Sequence, residues 1–468
     1  MRRQPARLRL FEQLYTAAEM RAVEERYPDY PSSVPELMER AGAAVAREAM
    51  LAFPDARRFG CVCGGGSNGG DGRVAARVLR EAGLVAEETE DVDGYDVLVD
   101  ALFGTGFHGA PRPDAASLIE RVNAAGVPVV SVDLPSGVDA STGEVAGAVV
   151  RADLTVTFHS LKVGLVIAPG RFQAGRVVVA DIGLERAPTE SRRAAPALLS
   201  LVPRRKPGDT KYTSGSVLIV GGQPGMTGAA CLSARAALRA DAGYVTLAVP
   251  AESLPIVETM VLEPVKIGWR DADAVEEISR AAERAGAVAI GPGLGRSDER
   301  RALVRELLRR LDVPAVVDAD ALFEFDPVER DAPTVLTPHA GELARLLDTD
   351  SGWVDAHRLE AAQRAADRFD AVVLLKGPDT IVAEPGKGVI VSDLGPPSLA
   401  TAGTGDVLTG IVAAFLAKGM EGQLAAVAAA VAHGVAARLL PQQAGLVASD
   451  LLETLPVALE SEVANTRE

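Results

Sequence analysis

Gly403, Thr404, Gly405 and Asp406 form the turn with the most explicit chemistry in the sequence. Its two glycines free the backbone, and the Ala-rich segment behind it reads as a helix. Successive amides would then converge on an anion at the positive helix end. Asp406 would sit beside a bound phosphate, where a carboxylate takes the proton of an attacking hydroxyl. The competing role, a helix N-cap aspartate, is weakened by the glycines on either side of Thr404. Three more loops follow apolar runs in the same half. Lys376, Gly377, Pro378, Asp379 and Thr380 combine a cation that can reach a phosphate with a loop that can wrap a nucleotide; an isolated Lys-Gly at a strand end is usually only a turn. Gly291 to Gly295 read GPGLG, and Thr337, Pro338 and His339 bring an imidazole to a strand end. His433, on an Ala-rich helix, reads as buried and hydrogen-bonded.

The first half has its own cluster. Gly64 to Gly72 form a glycine-rich strand-to-helix turn holding Asn68 and Asp71, without the spacing of a dinucleotide fingerprint. Such a turn alone can be structural; two polar side chains inside it favour a site. Asp100 lies in an otherwise apolar strand, where a lone carboxylate is costly unless it is paired or meets a cation. Asp133 ends another strand, and Ser136 follows it. Asn68, Asp100, Asp133 and Ser136 make a hard oxygen set that suits an alkali or alkaline-earth cation better than zinc.

Apolar runs alternating with helical spacing must position these groups, which predicts parallel βαβ units on both sides of a polar, Pro-containing stretch from Glu185 to Lys206. Domains over residues 1–188 and 204–468, with a linker at 189–203, follow from that division. In the first half, strands are expected at Phe59–Cys63, Val97–Leu102, Val127–Leu134, Leu154–Phe158 and Arg176–Ala180, with helices over 36–53 and 70–83. In the second, strands are expected at Ser216–Val220, Tyr244–Val249, Ala287–Ile290, Ala315–Val317, Thr334–Leu336 and Val372–Leu375. Helices are expected over 227–242, 405–417 and 423–440. The chain has 468 residues, enough for two such domains, and only 4% aromatics. A formal net charge of −16 argues against general nucleic-acid binding, so phosphates should be held locally. Three cysteines give no disulfide framework and fit a reducing, cytoplasmic compartment. No apolar leader follows Met1, and no membrane span is expected. A homo-oligomer is expected.

The order Leu37 to Gly42, SNGGDG, DALFGTG, DLPSG and Thr157 to Lys162 resembles the NAD(P)H-hydrate epimerases over roughly Gln13 to Leu184. The resemblance implies a Rossmann-like three-layer fold and interconversion of the R and S epimers of hydrated NADH or NADPH. It maps ligand segments onto Ser67, Asn68, Gly69, Gly70 and Asp71, onto Gly104, Thr105, Gly106, Phe107, His108, Gly109 and Ala110, and onto Asp133. It maps a potassium site onto Asn68, Asp100 and Ser136. For the proton path of the epimerase so implied, Asp133 is the leading candidate and Lys162 a weaker one, equally a salt-bridge partner. Ser67 stands where the family usually has Asn, which should alter contact geometry without loss of the site; His108 also reads as a solvated loop residue. The second half, roughly Arg204 to Leu452, is similar to the ribokinase-like superfamily and within it to the ADP- or ATP-dependent NAD(P)H-hydrate dehydratases. The carriers are Lys211 to Gly215, Gly228 to Ala230, GPGLG, TPHAGE, LKGPDT and ATAGTGDVLTG. By that resemblance Ala229, Gly293 or Gly295, His339 and Asp406 contact the hydrate. Lys376 to Thr380 and Gly405 hold ADP or ATP with magnesium. Related kinases commonly have Asn where His339 stands, which favours a dehydratase; Ala340 and Thr210 depart from the dehydratase pattern without removing an assigned group. The alternatives are a vitamin-type small-molecule kinase fused to a nucleotide-binding domain, and a first half that only senses nucleotides or binds proteins.

Overall fold

In the computed structural model, which describes residues 9–464, the chain divides into two compact α/β units. One is Gln13–Arg192 with Asp355–His357. Its strands are β1 (Arg58–Cys63), β2 (Val85–Glu88), β3 (Val97–Ala101), β4 (Val129–Val132), β5 (Leu154–Phe158) and β6 (Arg176–Ala180). They form one parallel sheet in the order β2-β1-β3-β4-β5-β6. Strands covered on both faces must be apolar throughout, and β3, β4 and β5 are buried at every position. The order reverses between β1 and β3, which opens a crevice at their carboxyl ends. Helix α1 (Val34–Ala52) packs on α2 (Ser67–Glu81) at Gly42, where a Cβ would lie 2.6 Å from the Asp71 carbonyl. Helix α2 starts at Ser67, three residues ahead of the sequence expectation, so Gly69 and Gly70 lie inside its first turn. Packing overrides their poor helix propensity.

The second unit holds residues 9–12, Arg193–Val354 and residues 358–464. Its strands are β7 (Ser216–Val220), β8 (Tyr244–Pro250), β9 (Val265–Trp269), β10 (Ala287–Ile290), β11 (Ala315–Val317), β12 (Thr334–Leu336), β13 (Val372–Leu375), β14 (Thr380–Ala383) and β15 (Ile390–Ser392). They follow the order β9-β8-β7-β10-β11-β12-β13-β14-β15; pairing is parallel up to β13 and antiparallel beyond. The β9, β14 and β15 strands were not expected. Lys266 and Gly268 interrupt the apolar pattern of β9, and β14 begins at Thr380, inside the loop read as nucleotide-wrapping.

Helix α3 (Thr227–Arg239) and α4 (Thr404–Ala417) touch at Gly410, where a Cβ would fall 2.2 Å from the Ser233 carbonyl. Helix α5 (Gly422–Leu439) is the one helix among the described residues long and apolar enough to cross a bilayer, and 78% of it is buried inside the unit. The stretch 189–203 contains a strand, Ser191–Ala194, and a 3-10 segment, Pro196–Leu201, with Leu198 and Leu199 fully buried in the core. Its charges and prolines mask that packing in the sequence.

Candidate active sites

In the first unit, the loops after β1, β3 and β4 carry the groups singled out by sequence. Asp100, at 1% exposure, accepts hydrogen bonds from Ser131 Oγ (2.8 Å), Ser136 N (2.9 Å) and Ser136 Oγ (2.6 Å). Burial, the largest effect, raises its pKa against these bonds. Among the described residues, no ammonium or guanidinium pairs with it. Asn68 Nδ2 donates to the Phe103 carbonyl at 2.9 Å, and Phe103 N donates to Ser136 Oγ at 2.9 Å. Asn68, Asp100 and Ser136 thus meet in one oxygen-rich cluster, joined by Ser131 and the Phe103 carbonyl. A buried carboxylate without a cationic partner among neutral oxygens fits a potassium ion, which would offset its charge.

Asp133 follows β4 with φ of 66°, a conformation that costs energy for a side chain with a Cβ and often marks a functional position. Its Oδ1 accepts from Lys162 Nζ at 2.5 Å and Thr157 Oγ1 at 2.9 Å. Lys162 is 1% exposed and also donates to Thr157 Oγ1 and the Phe158 carbonyl, each at 2.9 Å. Its three protons are therefore committed, and it positions Asp133. Asp71 stands within electrostatic reach: burial, then the charges of Asp133 and Glu24, push its carboxyl up to about 8. Glu24 is itself raised, by burial and then by Asp133. Phe107 stacks on Phe103 with centroids 4.7 Å apart, whereas His108, Gly109 and Ala110 are exposed.

In the second unit, Gly403 has φ of 90°, and a Cβ there would meet Ala448 and Leu232 at 3.0 Å. That conformation turns the chain into α4. Asp406 lies in the first turn of α4, and its carbonyl accepts from Ser233 Oγ at 2.8 Å. Lys376 Nζ lies under the turn: a Cβ on Gly405 would be 3.4 Å from it. The ammonium also lies 2.9 Å from Asp318 Oδ1 and 3.8 Å from Glu342 Oε2. Thr409 Oγ1 donates to Asp318 Oδ2 at 2.6 Å. Burial would raise the Asp318 carboxyl, but Lys376 and Thr409 hold it below the usual range. Burial opposes the charge on Lys376 too, yet Asp318 and Glu342 keep its pKa above normal. Asp406 is pushed up to about 7, by burial first and Asp318 second. Such a carboxylate suits a base working at neutral pH.

His339 caps the helix Ala340–Leu346: its Nδ1 accepts from Gly341 N (3.0 Å) and Glu342 N (3.3 Å), while Glu342 Oε2 accepts from His339 N at 2.9 Å. Those bonds make Nδ1 the acceptor and leave Nε2 as the N–H donor of a half-exposed ring. Burial lowers its pKa, which favours the neutral form.

The Lys376 to Thr380 loop is held from beneath. Asp379 is fully buried and pairs with Arg358 Nε at 2.9 Å; Arg358 Nη2 donates to the Asp379 carbonyl at 2.8 Å. The Asp379 carboxylate therefore faces inward, while Gly377 and Pro378 are exposed. Gly293 has φ of 63° with the Met226 carbonyl 2.3 Å from a would-be Cβ, and the Gly295 amide is taken by Asp320 Oδ2 at 3.0 Å. Ala229 lies in the first turn of α3. His433 is buried, and burial pushes its pKa down to about 4. Sequence reasoning missed Glu24, Ser131, Asp318, Glu342, Arg358 and Thr409. Asp318 ends the apolar strand β11 as Asp133 ends β4, and that signal was available; the others become visible only through long-range contacts.

The family described as NAD(P)H-hydrate dehydratase matches residues 217–457, and the family described as YjeF-related protein N-terminus matches residues 34–88 and 84–164. A bifunctional NAD(P)H-hydrate repair enzyme from Moorella thermoacetica is 39% identical over 96% of this chain and 97% of its own. The Escherichia coli enzyme of that name is 35% identical over 92% and 90%. The ADP/ATP-dependent NAD(P)H-hydrate dehydratase from Bacillus subtilis, co-crystallised with ATP and magnesium, is 29% identical, with a TM-score of 0.52 over 57% of this chain and 96% of that one. With both site clusters assembled on Rossmann-like and ribokinase-like sheets, this chain belongs to the bifunctional NAD(P)H-hydrate repair enzymes.

Proposed function

We propose that the protein restores hydrated NADH and NADPH, with residues 1–188 interconverting the R and S epimers and residues 204–468, beyond a 189–203 connector, dehydrating the S epimer. The observation that carries the second activity is Asp406, raised to about 7 above the Lys376 ammonium and the amide turn. Asp406 takes the proton from the carbon 6 hydroxyl as that oxygen attacks the terminal phosphate of ADP or ATP. Lys376 and the Gly405 amide hold the phosphate, and the Lys376 to Thr380 loop holds the nucleotide. His339 Nε2–H and Ala229 face the hydrated ring. The ring nitrogen then expels phosphate from carbon 6, and loss of a carbon 5 proton restores the dihydronicotinamide. Magnesium bound with the nucleotide would neutralise phosphate charge.

In the first unit, Asp71 as neutral acid lets the carbon 6 hydroxyl leave as water, and the Lys162-held Asp133 takes a proton from water returning to the other face. Ser67 to Asp71 and Gly104 to Ala110 hold the dinucleotide. Asn68, Asp100 and Ser136 would hold potassium, which supplies the positive charge that Asp100 lacks. The sparse cysteines fit a cytoplasmic enzyme.

Product analysis tests the dehydratase reading. Incubation of the S hydrate with ADP should release NADH and free phosphate in equal amounts. A stable phosphorylated alcohol would instead identify a kinase.

A further inference from the structure

The hydrated dinucleotide is far larger than the hydrated ring that Asp406 and His339 address, so its adenosine half needs its own seat. A cavity of about 320 Å³ opens beside Gly295 and Asp320, within the size range of ligand sites. Asp320 is 6% exposed and ties this cavity to the catalytic region: it accepts from the Gly295 amide at 3.0 Å and from Arg296 Nε at 2.6 Å. Its charge is felt at Asp406.

We infer that this cavity takes the adenosine half of the hydrated dinucleotide, and that its lining favours hydrated NADH over the 2′-phosphorylated hydrate; the inference rests on the dehydratase reading above. Phe323, with the Arg296 guanidinium over its ring at 5.7 Å, and Phe325 line the cavity with aromatic surface that suits adenine. Arg301 and Arg305 stand one helical turn apart on Asp298–Arg310, in line for a pyrophosphate. Arg305 is only loosely paired, with Asp326 Oδ2 at 3.8 Å. Arg301 is held by Asp298 at 2.6 Å and by Glu324. Four carboxylates (Asp298, Asp320, Glu324 and Asp326) face three guanidiniums, with Arg300 as the third. Carboxylates accept bonds from ribose hydroxyls, whereas a 2′-phosphate would bring like charge against them.

The test uses the full chain with ADP and magnesium, and compares kcat/KM for three substrates: hydrated NADH, hydrated NADPH and the hydrate of reduced nicotinamide mononucleotide. Hydrated NADH should exceed the mononucleotide by about tenfold or more, one aromatic and ionic contact set, and should exceed hydrated NADPH. In Phe323→Ala/Arg305→Ala, hydrated NADH should fall towards the mononucleotide value, while the mononucleotide rate and the KM for ADP stay unchanged. Glu324→Gln/Asp326→Asn should narrow the gap between hydrated NADH and hydrated NADPH. Equal losses for mononucleotide and dinucleotide, or an unchanged ratio, overturn the cavity assignment while leaving the dehydratase standing. Turnover of none of the three hydrates by the wild type would overturn both.

Discussion

Asp406 works as a base only when ionised, and burial with Asp318 nearby raises its pKa to about 7. Dehydration should therefore rise with pH through about 7 and fall on the acid side. A pH profile of kcat/KM for the S hydrate checks this, and Asp406→Asn should abolish dehydration while leaving epimerisation intact. Asp71 has the opposite requirement. It acts as an acid, so its protonated form is lost as pH climbs past about 8. Epimerisation should decline there, and Asp71→Asn should impair it across the whole range; an epimerase that keeps its full rate at pH 9 would remove Asp71 from that role. The sequence already pointed to Asp406, Asp133 and Asp100, because a carboxylate on a glycine turn or in an apolar strand conflicts with its surroundings. It could not show that Lys162 spends its protons on Asp133, Thr157 and Phe158, or that Arg358 turns the Asp379 carboxylate inward. The Asp133 and Asp379 contacts join segments more than twenty residues apart, and the local ones depend on the turn after β5.

Among the elements, α4 matters most, because it carries both the anion turn and Asp406. It lies close to α3 only because Gly410 leaves room for the Ser233 carbonyl. Gly410→Val should cost about 1–3 kcal/mol of stability through overpacking, seen as a lowered denaturation midpoint, and should weaken dehydration by shifting Asp406. A variant with unchanged midpoint and kcat would show that the contact is not needed. The central strands, and the helices that follow β1 and β7, were legible because buried parallel strands are continuous apolar runs closed by glycine loops; the helices Pro113–Ala124, Asp298–Arg310 and Ala340–Leu346 were not. The edge strands β2 and β9 were not. A strand exposed along one side carries polar residues, as in Val85–Glu88, and loses the pattern. The beginning of α2 was misplaced for a local reason: two glycines read as loop, yet they form the first helical turn.

At the scale of the molecule, each unit has its own core and charged cluster, so the two activities should fail separately. Replacing potassium by lithium should slow epimerisation and spare dehydration, since the buried Asp100 cluster lies wholly in the first unit. Parallel assays of both reactions in the two salts measure this.

The most direct test of a two-activity enzyme is the NADH yield from a mixture of R and S hydrates, with ADP, magnesium and potassium present. The wild type should convert the whole mixture to NADH, followed by its absorbance. Asp133→Ala should stop at the S fraction. Wild-type conversion that also halts at the S fraction, or Asp133→Ala conversion that runs to completion, would contradict the account.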